Sequence, residues 1–190
     1  MKIALFGGTF NPIHYGHLLL AEISYDEFKL DKVIFIPSGQ PPHKLESGFK
    51  IHRYNMVKLA IGKNKHFMVS DYEIKKNTIT YTYDTIKYFK QKYYGHDIYF
   101  LIGLDLLLEM HTWKGKETVL DLCTFLVGTR PNYPISKVPL RIRSKVNLFK
   151  LPLFDISSTE IRERIRQNKT IKYLVPEPVE KYIFKNKLYI

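Results

Sequence analysis

The chain has 190 residues, 45% of them hydrophobic and 25% charged, a composition that excludes a disordered polymer and suits one folded domain spanning residues 1–190. That length lets a fold bury roughly 70% of the surface its unfolded chain exposes, so neither disulfides nor a metal staple is required. A formal charge of +12 favours anionic partners, either a small polyanion or a nucleic acid.

The first apolar run, Lys2–Phe6, has the length of a strand and breaks at Gly7-Gly8. It lacks the small-residue cleavage site of a leader peptide, and no stretch reaches the eighteen or so apolar residues of a membrane span. The expectation is a cytoplasmic protein that does not associate with membrane. Beyond the glycines lies Thr9-Phe10-Asn11-Pro12-Ile13-His14-Tyr15-Gly16-His17, and then the apolar-periodic Leu18-Leu19-Leu20-Ala21. Strand, glycine turn and helix start in this order form an anion site: glycine lets backbone approach a phosphate, and the first helix amides and the dipole point at it. His14 and His17 are three apart, so one helical turn puts both on the same face. Zinc uses the same spacing, but no cysteine and no neighbouring acidic group completes a tetrahedral set, so no metal ligand is assigned. Donation to phosphate oxygens as charge builds on a leaving group is the chemistry these imidazoles suit.

Lys32–Pro37 reads as a second strand, followed by the turn-rich Pro37-Ser38-Gly39-Gln40-Pro41-Pro42-His43-Lys44. Ile86, Phe89 and Tyr93 recur at helical spacing among lysines, the mark of an amphipathic surface helix whose stripe is core. Asp97–Ile102, Thr124–Val127 and Val146–Leu151 are further strands, and their alternation with helices argues for an α/β fold with a parallel sheet. The one cysteine, Cys123, sits in the apolar run Leu122–Val127 and is expected to be a buried, inert thiol in a reducing compartment. Ile156-Ser157-Ser158-Thr159-Glu160-Ile161-Arg162 opens a helix. Ser157 with Glu160 fits a capping box, which by itself accounts for the serine, whereas Ser158, Thr159 and Arg162 add hydroxyls and a planar cation that suit phosphate at a second helix amino terminus. Val179, Tyr182 and Ile183 behind Pro176 mark a closing helix.

The glycine-histidine motif, Pro41-Pro42-His43-Lys44, Thr80–Thr85, Ile102–Asp105, Trp113, Arg130-Pro131, Ile156–Arg162 and Tyr173–Pro176 with Val179 and Tyr182-Ile183 fall in the order and approximate spacing of one family. Over essentially its whole length the chain resembles the bacterial nicotinate-nucleotide adenylyltransferases of the nucleotidyltransferase superfamily. The resemblance implies a Rossmann-like parallel sheet flanked by helices with a small helical C-terminal part. It also implies adenylyl transfer from ATP, accompanied by Mg²⁺, to nicotinate mononucleotide, giving deamido-NAD and pyrophosphate in NAD biosynthesis.

Residue by residue, it implies that Gly8, Thr9 and Phe10 shape a turn touching both substrates, and that His14, His17 and Arg162 act on the ATP phosphates as the catalytic set. Gly103, Asp105, Ile156, Ser158 and Thr159 complete the ATP site, and Thr9, Lys44 (with His43), Thr82 and Trp113 meet the mononucleotide. Local readings stand beside these: Lys44 as a loop lysine, Trp113 as a core ring, Asp105 as a helix cap. The family commonly has Asp where this chain has Asn11, which leaves turn formation intact but removes a charge. Two other functions fit parts of the sequence: transfer to a different acceptor such as phosphopantetheine, and a basic nucleic-acid-binding module on a nucleotide fold. The scatter of lysines along the chain speaks against nucleic acid as a partner.

Overall fold

The computed structural model describes residues 1–39, 49–113, 116–129, 138–152 and 155–190. Six strands, β1 (Lys2–Gly8), β2 (Lys32–Pro37), β3 (Phe67–Val69), β4 (Asp97–Gly103), β5 (Thr124–Thr129) and β6 (Val146–Lys150), form one sheet in the order β3-β2-β1-β4-β5-β6. Pairing is parallel from β1 through β4 and β5 to β6, with Ile3 opposite Ile98, Leu101 opposite Leu126 and Val127 opposite Leu148. Parallel strands need crossovers, and the helices between them supply these: α1 (Tyr15–Glu27), α2 (Phe49–Ile61), α3 (Thr82–Lys92), α4 (Leu104–Leu108), α5 (Lys116–Leu122) and α6 (Leu140–Arg143), while α7 (Ser158–Arg166) and α8 (Glu177–Lys185) follow the last strand. The expected parallel α/β sheet with a helical C-terminal part is the fold observed.

The strands read as apolar runs because both faces are covered: Ile3, Ala4, Leu5, Leu101, Ile102, Leu126 and Val127 have no exposed surface. Two compact units interleave along the chain. The first comprises Met1–Gly7, Leu20–Ile34 and Thr80–Leu153, the second Gly8–Leu19, Phe35–Ile79 and Phe154–Ile190.

Within the first unit, Ile86 and Phe89 of α3 are buried as their spacing requires, and Phe89 stacks on Tyr93 at 6.2 Å. Gly128 is closely packed: a β-carbon there would lie 2.3 Å from a Leu20 methyl, so that side chain would have to shift. Cys123 is half-buried, and burial pushes its thiol up to about 12 against the opposing effect of Lys90, which keeps it protonated and unreactive at neutral pH.

Within the second unit, α2 and α8 pack together, and Tyr182 of α8 accepts from Asn55 Nδ2 at 3.0 Å and pairs with His52 Nδ1 at 3.0 Å. Strand β3, with three residues, is too short to announce itself by periodicity. Among the described residues no helix is long and apolar enough to cross a membrane.

Candidate active site

The strand order reverses at β1, and open α/β sheets bind ligands outside the carboxyl ends of strands at such a reversal. Residues 8–17 leave β1 at that end. The Phe10 ring folds back over Gly8 so closely that a β-carbon on residue 8 would sit 2.9 Å from it, which only glycine avoids. Phe10 itself has φ 49, a left-handed conformation uncommon for a bulky residue and held here by a buried ring. That ring meets His17 edge-on at 5.1 Å and tilts against Phe35 at 5.8 Å. Thr9 remains exposed at the crest of the turn.

His14 and His17 do share one face. Their ring centroids lie 3.7 Å apart, and His14 is 5% exposed while His17 is half-buried above it. The His14 carbonyl accepts from His17 N at 3.0 Å and from Leu18 N at 3.3 Å, closing the first turn of α1. The backbone N–H of His14 donates to His17 Nδ1 at 3.3 Å. With Nδ1 accepting, the proton of a neutral His17 ring belongs on Nε2, which makes Nε2 a donor suited to an anion.

The start of α7 is stitched to the same turn. Ser158 Oγ donates to the Pro12 carbonyl at 2.9 Å, and Arg162 Nη1 donates to the Asn11 carbonyl at 2.7 Å. Arg162 Nη2 reaches Thr159 Oγ1 at 3.1 Å, so the guanidinium plane is fixed by two elements at once. Ser157 caps the helix, its Oγ accepting from Glu160 N at 3.1 Å. Capping therefore falls to Ser157 while Ser158, Thr159 and Arg162 serve the turn. Ile156 precedes them, half-buried, in a stretch without regular secondary structure. One unit thus holds His14, His17, Ser158, Thr159 and Arg162 around residues 11 and 12, a concentration of donors and cationic charge with two helix amino termini.

The other expected residues belong to the first unit. Thr82 begins α3, half-buried. Gly103 ends β4 with φ −79 and caps α4, and the space where its β-carbon would stand is open. Asp105 is therefore one residue past the helix's first position, exposed, and does not act as the N-cap. Trp113 is half-buried where the short 3₁₀ turn Glu109–Thr112 ends, its N–H donating to the Met110 carbonyl at 3.0 Å. His43 and Lys44 lie outside the described residues.

Residues 5–164 match the cytidylyltransferase-like family model. A "Probable nicotinate-nucleotide adenylyltransferase" of Moorella thermoacetica is 43% identical over 99% of this chain and 91% of its own length. One of the same name from Thermoanaerobacter sp. is 46% identical over 100% of this chain and 94% of its own. The chain belongs to the nicotinate-nucleotide adenylyltransferase family. It is a nucleotidyltransferase of NAD biosynthesis. The fold of the enzyme is shared by the Plasmodium falciparum nicotinic acid mononucleotide adenylyltransferase complexed with NaAD, at a TM-score of 0.81 and 22% identity over 99% of this chain and 97% of that one. The same Plasmodium protein complexed with APC superposes with a TM-score of 0.78 at 21% identity, covering 99% and 96% of the two chains.

Two residues of the second unit were not singled out from the sequence. Arg53 of α2 has no exposed surface, yet its guanidinium donates to the carbonyls of Thr9 (2.7 Å), Ser38 (2.5 Å) and Gly39 (3.2 Å). Burial lowers its pKa to about 10, leaving it a cation at neutral pH. The legible signal was its spacing: Arg53, Met56, Val57 and Ile61 form the buried stripe of α2, so an arginine sits where the pattern demands an apolar residue. Tyr189 gave no such signal. Its hydroxyl donates to Asn11 Oδ1 at 2.7 Å, and burial pushes its pKa up, with Arg162 and Arg53 acting in the other direction. Asn11 thus contributes a carbonyl to Arg162 and its side chain to Tyr189.

Among the described residues no group of three or more His, Cys, Asp or Glu side chains is arranged to hold a metal ion. The donors gathered at residues 8–17 and 158–162 of the enzyme are imidazole, hydroxyl and guanidinium, a set matched to phosphate oxygens.

Proposed function

We propose that the enzyme joins the adenylyl group of ATP to nicotinate mononucleotide by direct in-line displacement, with no covalent enzyme intermediate. The 5′-phosphate of the mononucleotide attacks the α-phosphorus, the bond to the bridging oxygen breaks, and pyrophosphate leaves. A phosphate monoester is already a competent attacking group, so the protein's task is to orient two polyanions and offset their repulsion. His17, as an Nε2 donor, and His14 beside it meet the triphosphate from the amino end of α1. Thr159 and Arg162 meet it from the amino end of α7, where Ser158, its hydroxyl already donating to Pro12, offers the backbone N–H of the first helical position. The observation that carries this reading is the stitching of α7 to the turn before α1, through Ser158 to Pro12 and Arg162 to Asn11.

Mg²⁺ enters with ATP as part of the co-substrate, where it offsets charge on the phosphate oxygens. Gly8, Thr9 and Phe10 shape the turn against both substrates, while Gly103 and Asp105 serve the nucleoside. Ile156 adds apolar contact to it. Lys44 and His43 are assigned to the mononucleotide phosphate, and Thr82 and Trp113 to the nicotinate ring, which an indole can stack upon. One nucleotidyltransferase domain acting in the cytoplasm completes the proposal. The activity is tested by measuring pyrophosphate and dinucleotide formation from ATP with nicotinate mononucleotide, nicotinamide mononucleotide and phosphopantetheine. Turnover with the first and little with the third supports the assignment, and the reverse order defeats it.

A further inference from the structure

A fully buried cation in a small enzyme calls for an account, because removing a guanidinium from water costs several kcal/mol unless its surroundings repay it. Arg53 is surrounded by backbone. Its Nη1 donates to the Thr9 carbonyl at 2.7 Å and to Ser38 Oγ at 3.3 Å, and its Nη2 donates to the carbonyls of Ser38 at 2.5 Å and Gly39 at 3.2 Å. Thr9 lies in the turn leaving β1, and Ser38 and Gly39 lie in the turn leaving β2. One rigid fork therefore spans two turns at the carboxyl ends of neighbouring strands. Those strand ends are already joined by a backbone bond from Ser38 N to the Gly8 carbonyl at 2.9 Å, so connecting them does not by itself require an ion.

What the ion adds is direction and polarity. In a trans peptide the C=O and N–H point opposite ways, so drawing the Thr9 carbonyl toward Arg53 turns the Phe10 N–H away from it. A cation on the carbonyl oxygen also polarises the peptide and strengthens the N–H as a donor. The turn beyond β2 is held from its other side as well: Gly39 N donates to Glu73 Oε2 at 3.4 Å, and a β-carbon at residue 39 would lie 2.2 Å from the Glu73 carbonyl oxygen. Glu73 is 9% exposed, and its charge acts on Arg53 in the direction that keeps the guanidinium protonated.

We propose that Arg53 is a positioning residue for adenylyl transfer, fixing the Thr9–Phe10 peptide relative to the Ser38–Gly39 turn through its four guanidinium hydrogen bonds. The proposal rests on the adenylyl-transfer reading of the site. Arg53 acts through backbone and touches no substrate. Lysine keeps the charge but radiates three donors from one nitrogen, so it can serve one turn and not both.

The test compares Arg53→Lys and Ser38→Ala with the unsubstituted enzyme, each normalised to folded protein by circular dichroism. Steady-state kinetics with ATP and nicotinate mononucleotide are paired with amide hydrogen exchange over residues 7–10 and 36–39. The expected result for Arg53→Lys is a fall in kcat of about 10- to 100-fold with both KM values within about threefold, and faster exchange confined to the two turns. Ser38→Ala, which removes one acceptor, is expected to lower kcat by about two- to fivefold. Folded Arg53→Lys with kcat within about twofold of the unsubstituted enzyme, or with unchanged exchange in both turns, overturns the proposal. If Arg53→Lys does not fold, Ser38→Ala decides, and unaltered kcat and exchange overturn it. An unsubstituted enzyme that forms no dinucleotide would instead overturn the functional reading, while the exchange measurement still reports whether Arg53 holds the turns.

Discussion

Replacing His17 by alanine should nearly silence the enzyme without unfolding it. The ring is held by Phe10 edge-on at 5.1 Å, by His14 at 3.7 Å and by the His14 N–H on its Nδ1 at 3.3 Å, so its Nε2 donor is preorganised before any substrate arrives. Loss of one preorganised donor to developing negative charge costs about 2.7–4 kcal/mol of transition-state stabilisation, which is about 10²–10³-fold in kcat. The structural cost is smaller. Two ring contacts at about 0.5–1.5 kcal/mol each leave most of a typical folding free energy of about 5–15 kcal/mol in place. The check is pyrophosphate release under saturating ATP and nicotinate mononucleotide, with a thermal melt of the same preparation. A His17→Ala enzyme that is folded and retains kcat within about threefold would refute the donor role. A large loss confined to KM would assign His17 to ground-state binding instead.

Tyr189→Phe deletes the hydrogen bond to Asn11 Oδ1 and should cost about 0.5–1.5 kcal/mol, read as a melting shift of about 1–6 °C; an unshifted melt contradicts that contact. Gly39→Ala would bring a β-carbon to 2.2 Å from the Glu73 carbonyl oxygen, which a backbone atom cannot yield cheaply, and a urea midpoint equal to that of the unsubstituted enzyme would refute the packing. For pH, the unfolded Cys123 thiol ionises near 9 while the folded one holds its proton to about 12, so stability falls as pH rises from 9. Tyr189 adds a loss of the same sign around its ordinary 10 and Arg53, lowered to about 10, opposes it, so the thiol is isolated by comparison with a variant that leaves both in place. Cys123→Ser should flatten the stability slope above pH 9, and an unchanged slope defeats the attribution. Finally, nicotinate mononucleotide should outperform the nicotinamide form by about 10-fold or more, since backbone donors suit a carboxylate better than an amide; equal kcat/KM for the two contradicts this.

Much of this molecule was legible in its sequence because its signals are local. A strand ending in Gly7-Gly8 and a helix opening with His14 and His17 need only short-range geometry, and Ser157 with Glu160 announced the cap that α7 carries. At α7 adjacent residues divide the work in a way visible only in three dimensions, Ser157 bonding inward to its helix and Ser158 across to Pro12. Residues that act over long sequence separation stayed silent. Tyr189 meets Asn11 and Arg53 meets Thr9 only after the chain has folded, and neither tyrosine near a terminus nor one arginine in a lysine-rich sequence marks itself. Strand β3 stayed silent because three residues cannot display a period.

The most direct test of the account is a crystal structure of the enzyme with a non-hydrolysable ATP analogue and Mg²⁺. A single triphosphate is expected, with oxygens within hydrogen-bonding reach of both His17 Nε2 and the Ser158–Arg162 end of α7. A triphosphate that contacts neither, or contacts only one of those two helix ends, would contradict it.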